Sequence, residues 1–178
     1  MKSFNTMLKT ELKLSLRGMD MVIFSICMPI VVLVAIGVIY GNKPAFEGAN
    51  YTFLEQSFGA ITSIAICAGG VMGLPLVVSD YRSKHILKRF KVTPVDPIVI
   101  LLVEVTIYVL YSLVSMISLF LVAKLFFKFN MQGNILNFIL GWLLVMISMF
   151  SIGIMVGGIS KDSKIAGVIA SVLYFPML

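Results

Sequence analysis

The chain has 178 residues, 60% of them hydrophobic and 12% charged, with a mean hydropathy of +1.05 and a formal net charge of +6. A soluble domain carries about 25% charged residues, so this composition excludes an ordinary soluble fold and implies an all-α, polytopic membrane protein. The basic excess then reads as topology and not as a sign of nucleic acid, because Lys and Arg collect in cytoplasmic loops.

Residues 1–20 form the first predicted element. Phe4, Leu8, Leu12 and Leu16 recur every four residues, with Lys9, Lys13 and Arg17 beside them at the same spacing. That pattern predicts an amphipathic helix lying in the inner headgroup layer, with a basic edge that also touches a cytoplasmic partner. The run Met21–Asn42 follows without a charge for 22 residues. A cleaved signal has an apolar core of about 7–15 residues, so this run is expected to stay as an anchor.

The charges delimit the spans. The first is expected at 21–40, the second at 58–79, the third at 98–123, the fourth at 132–157 and a fifth at 165–178. The fifth covers roughly 21 Å as a helix against a hydrocarbon core of about 30 Å. The expectation is that it enters without crossing, or that the sequence stops short of the whole protein. With the N-terminus inside, segments 1–20, 80–97 and 160–164 carry 4, 5 and 2 Lys or Arg, and the outer segments 41–57 and 124–130 carry 1 and 2. This bias places the N-terminus in the cytoplasm. The longer outer loop contains a glycosylation triplet, Asn50-Tyr51-Thr52, a pattern common by chance.

The cytoplasmic loop 80–97, "DYRSKHILKRFKVTPVDP", has more structure in it than a tether requires. Tyr81–Lys91 lacks Gly and Pro, and three helical turns are predicted. Ile86, Leu87 and Phe90 cluster on one side, and Lys84, Lys88 and Lys91 form a basic stripe. Thr93-Pro94 ends that helix, since a residue before proline is pushed out of the helical region. Asp96-Pro97 starts the next one, Asp as cap and Pro at the first position.

Inside the spans, Glu104 is the one charge of the third, roughly 9 Å past Ile98 by helical rise. A carboxylate in a span is expected to face protein or water, either as a pathway or coupling acid, or as one ion-paired with a basic residue near the inner surface or partly exposed to headgroups. Gly69/Gly73 and Gly153/Gly157 have the spacing that lets helices approach closely. Pro29 and Pro75 are expected to kink their helices, and Trp142 is expected to pack. Cys27 and Cys67 fall in apolar runs and read as small buried hydrophobes. His85 is the sole histidine, without a second ligand nearby, so no metal site is expected. The sequence has no G-x-x-x-x-G-K-[ST], no H-E-x-x-H and no nucleophile with a histidine to activate it. No catalytic or cofactor-binding residue is therefore assigned.

The segment "YRSKHILKRFKVTPVDPIVILLVEV" resembles the membrane subunits of ABC-2-type transporters, where R-x-x-G-T-L-x-R-L-x-x-T-P-V-x-P precedes the third span. The matching positions are Arg82, Leu87, Arg89, Phe90 in the second Leu place, Thr93, Pro94, Val95 and Pro97. His85 stands where Gly is usual and Ile86 where Thr is usual. The ending "SIGIMVGGISKDSKIAGVIASVLYFPML" is similar to the same family's fourth-to-fifth span segment.

The resemblance implies six spans, two paired permease copies or related chains, and a separate ATP-binding subunit that holds ATP and Mg. It implies a coupling helix that carries Arg82, Lys84, Ile86, Leu87, Lys88, Arg89, Phe90 and Lys91. Beside it would lie the interfacial helix with Leu8, Leu12, Lys13, Leu16 and Arg17. The implied function is efflux driven by the partner's ATP hydrolysis, with drugs, lipids, polysaccharides and peptides as substrate classes. The implied location is the plasma membrane of a bacterium or archaeon. Two rival readings stay open: an ion-coupled secondary transporter that uses Glu104, and a non-transporting membrane scaffold.

Overall fold

The computed structural model of the chain describes residues 2–18, 22–40, 43–46, 51–86, 97–131 and 133–177. They form α1 (Lys2–Gly18), α2 (Ile23–Tyr40), α3 (Phe53–Ser83), α4 (Pro97–Phe127), α5 (Ile135–Ile159) and α6 (Ser163–Tyr174), closed by a 3₁₀ turn, Phe175–Met177. Among the described residues, α2 to α5 are long and apolar enough to cross a membrane. At 12 residues α6 is about 18 Å long and does not reach across. The all-α, polytopic architecture is as the composition implies. The glycosylation triplet's Asn50 lies outside the described residues.

Local chemistry sets the helix ends. Thr52 and Glu55 form a reciprocal capping box at the start of α3, which satisfies two of the free N–H groups there. Asn134 caps α5 and Asp162 caps α6, each with a side-chain oxygen accepting a backbone N–H. The expected restart at Pro97 holds: it is the first residue of α4. The cap assigned to Asp96 lies outside the described residues.

Both prolines act through wider turns. Pro29 follows a π turn at Ile23–Cys27, and Pro75 follows one at Ala68–Gly73. A helical proline lacks the N–H that would bond the carbonyl four residues back, and its ring presses on that carbonyl. A π turn just ahead relieves the clash while the helix continues.

α3 is the centre of the bundle. At one end Leu54, Phe58 and Ile61 pack with Leu33 of α2, with Leu119 and Ala123 of α4, and with Phe129. At mid-length Ile66, Leu74 and Val78 meet Tyr108 of α4 and Trp142, Met146 and Phe150 of α5. Trp142 is thus a packing residue. The closest approach is between α3 and α5. A Cβ on Gly153 would run into the carbonyl oxygen of Gly70, and one on Gly157 would sit 2.7 Å from Val78 Cβ. The Gly153/Gly157 pair therefore does what its spacing predicts. On α3 it is Gly70 that meets Gly153, and Gly69 faces Tyr108 and Ser25 instead. Cys67 is buried, whereas Cys27 is exposed, and both are free thiols.

Candidate functional site

The site is built where α1 lies against the bundle. Phe4, Met7, Leu8 and Leu12 of α1 pack with Val22 and Ile26 on Val103, Ile107 and Tyr111 of α4. The predicted stripe Phe4–Leu8–Leu12–Leu16 is only partly right, because Leu16 is half exposed. The reason is geometric. Four residues turn about 400°, so a strict four-residue repeat drifts about 40° per step and about 120° by its fourth member. The buried line instead follows the alternation of three and four, and it carries Glu11 and Ser15 on the same side. Lys9, Lys13 and Arg17 are exposed along the opposite face.

Two phenols tie this helix down. The Tyr111 hydroxyl donates to Ser15 Oγ at 2.8 Å. Tyr81, near the C-terminus of α3, lies between two carboxylates, with its Oη 2.9 Å from Glu104 Oε1 and 3.1 Å from Glu11 Oε2. One side chain thus joins α1, α3 and α4. Glu104 is 6% exposed, so the carboxylate expected to face protein or water faces protein. Glu11 and Tyr81 went unnoticed in the sequence. Glu11 breaks the apolar pattern of α1 at a position in register with Met7 and Leu8, and that was the available signal.

A cavity of about 380 Å³ opens beside this junction, bordered by Glu11, Ser15, Asp80, Tyr81, Glu104 and Tyr108 among others. No Lys or Arg lines it among the described residues. Nor does any group of three His, Cys, Asp or Glu side chains there gather in a way that could hold a metal ion.

The loop after α3 differs from its prediction. α3 runs on as far as Ser83, Lys84 is its C-terminal cap, and His85 takes φ 57°, in the left-handed region. The His85 N–H returns to the Arg82 carbonyl at 3.1 Å. An unbroken helix from Tyr81 to Lys91 is therefore corrected: Tyr81–Ser83 belong to the end of α3, and the chain turns at Lys84-His85. The signal for this turn is the motif's glycine place, which His85 fills. A left-handed residue after a helix is the position that favours glycine.

Of the loop residues singled out, Arg82 is exposed and its guanidinium donates to the Gly158 carbonyl at the end of α5. Lys84 pairs with Asp80 at 2.7 Å, and Ile86 is half-buried. Leu87, Lys88, Arg89, Phe90 and Lys91 lie outside the described residues. The structure thus brings the interfacial helix, the end of α3 and the start of α4 together at one end of the bundle, with the loop emerging from that junction.

No curated protein and no solved structure matches the chain. The family model described as ABC-2 type transporter matches residues 2–178, nearly the whole chain: the protein belongs to the ABC-2 type transporter membrane family, as a multi-pass permease component of an ABC transporter.

Proposed function

We propose that the chain is the permease subunit of an ATP-binding cassette exporter, in which a separate ATP-binding subunit hydrolyses ATP and drives efflux. The proposed partners are that subunit, a second permease copy or related chain, and the plasma membrane. ATP and Mg would belong to the ATP-binding subunit.

The observation that carries this reading is the three-way junction at Tyr81. The loop 84–96 leaves α3 within three residues of a side chain that bonds both α1 and α4. A push on the loop would reach three helices, because Tyr81 of α3 touches both α1 and α4. The depth of the junction supports the same reading. α4 is about 46 Å long, roughly 16 Å more than a hydrocarbon core. With Phe127 at the outer boundary, Glu104 lies about 34 Å away, near the inner surface. A carboxylate there costs far less than at the membrane centre. That favours a place in the coupling apparatus over a place in an ion pathway.

The test is to look for a P-loop ATPase in the adjacent reading frame and to measure its co-purification with the permease. Leu87→Asp and Phe90→Asp are expected to abolish ATPase capture while leaving the permease folded. Capture and transport that survive both substitutions would refute the assignment of this loop.

A further inference from the structure

Two carboxylates, Glu11 and Glu104, approach one phenol at 3.1 and 2.9 Å. Tyr81 has one hydroxyl proton, so it donates to one of them at a time. With both carboxylates ionised, the other contact sets an anion against the lone pairs of Oη and is repulsive. A further proton on either carboxyl makes that contact a donation to Oη, and both bonds then exist together.

Among the described residues no cation lines the cavity to take the place of that proton. From α1 the cavity receives Glu11 and Ser15, whose Oγ accepts from Tyr111, from α3 Asp80 and Tyr81, from α4 Glu104 and Tyr108, and from α6 the neutral Ser163. Asp80 is itself paired with Lys84. Lys9, Lys13 and Arg17 of α1 are exposed on its other face.

We infer that Tyr81 is the positioning residue of a proton-dependent latch, which seats α1 on the bundle when the Glu11–Tyr81–Glu104 trio holds one proton beyond the phenolic one. Loss of that proton frees α1 to move against α4, the motion a push on the adjacent loop would exploit. The inference rests on the permease reading for its purpose, though its geometry does not depend on that reading.

The variants separate the elements of the latch. Tyr81→Phe keeps the ring and removes both bonds. Glu11→Gln replaces a carboxylate by an amide whose N–H donates to Oη at every pH, so it mimics the protonated latch. The full chain, with Cys27→Ser and Cys67→Ala, is spin-labelled at Lys13→Cys on α1 and Met155→Cys on α5, two exposed positions. It is reconstituted in lipid nanodiscs, and the distance distribution is recorded between about pH 5 and pH 9. Thermal midpoints confirm that each variant is folded.

In the wild-type background the seated-to-displaced ratio is expected to fall about tenfold as pH rises, the weight of one charge-assisted hydrogen bond. Glu11→Gln stays seated throughout, and Tyr81→Phe stays displaced throughout. A wild-type distribution that ignores pH and coincides with that of Tyr81→Phe overturns the latch, as does Glu11→Gln behaving like Tyr81→Phe. ATPase capture is measured on the same samples. If the unaltered permease captures no ATPase, the exporter reading falls, while the pH response of α1 still decides the latch.

Discussion

Gly153→Ala adds a single methyl group at the tightest of the described glycine contacts. Its Cβ would overlap the Gly70 carbonyl oxygen and approach Gly70 C at 3.1 Å and Leu74 Cβ at 3.5 Å. Carbon and oxygen in a close interhelical contact normally stay about 3.3–3.6 Å apart. The obstacle is backbone inside a helix, so no rotamer change clears it. α5 must move off α3 by about 1 Å, and a gap of that size forfeits a quarter to a half of each dispersion contact around it. Trp142, Met146 and Phe150 all pack across this seam. The cost is therefore expected near the upper end of the overpacking range, about 2–3 kcal/mol. Gly158→Ala is the matched control, five residues on in the same helix with nothing within 4 Å of its Cβ. It should be neutral, or stabilising by up to about 1 kcal/mol, because Ala is the better helix former. Reversible unfolding of the two variants in mixed micelles, followed by near-ultraviolet circular dichroism, gives the comparison. If Gly153→Ala is as stable as Gly158→Ala, the close crossing of α3 and α5 is wrong.

Three other outcomes follow from the same geometry. His85→Gly removes the steric cost of a left-handed residue with a side chain, and should stabilise the end of α3 by about 1 kcal/mol; slower hydrogen exchange of the His85 and Lys84 amides would register it, and unchanged or faster exchange would count against the turn. Glu55→Ala removes the acceptor for the Thr52 N–H at 2.9 Å and for the Asn130 N–H at 3.1 Å. It should cost about 2 kcal/mol by the same unfolding assay, more than Thr52→Ala, which loses one cap bond of about 1 kcal/mol. Glu104→Gln supplies an amide N–H that donates to Tyr81 Oη and leaves the phenolic proton to Glu11, so α1 stays seated and ATPase capture is unchanged. Glu104→Leu leaves the phenolic proton to Glu11 alone, so α1 should stay seated at every pH and proteolysis within residues 1–20 should not rise.

What the sequence made legible, and what it did not, divides along one physical line. Span number, span order and the apolar face of α1 depend on composition and on one helix at a time, and composition carries them. The spacing of Gly153 and Gly157 showed that some helix comes close. It could not say that Gly70 and not Gly69 would meet it, because the rotation of α3 is set by the π turn ahead of Pro75 and by what packs on its other sides. The same limit applied to the loop. Leu, Ile, Lys and Arg without Gly or Pro read as uninterrupted helix from Tyr81 to Lys91, and intrinsic propensity supports that reading. The backbone turns at His85 regardless. Only comparison with the motif, which has glycine there, marks the position as one that demands a left-handed conformation. Glu104 was visible as a lone charge, yet its meaning lay in residues 93 and 23 positions away in the chain, Glu11 and Tyr81, which no local pattern connects to it. A junction of this kind is a property of three helices packed together, and it becomes readable only when their rotations are known. Its chemistry then follows from valence alone: two carboxylates and one phenolic proton are one proton short of two hydrogen bonds, so the seating of α1 must answer to whatever supplies or removes that proton.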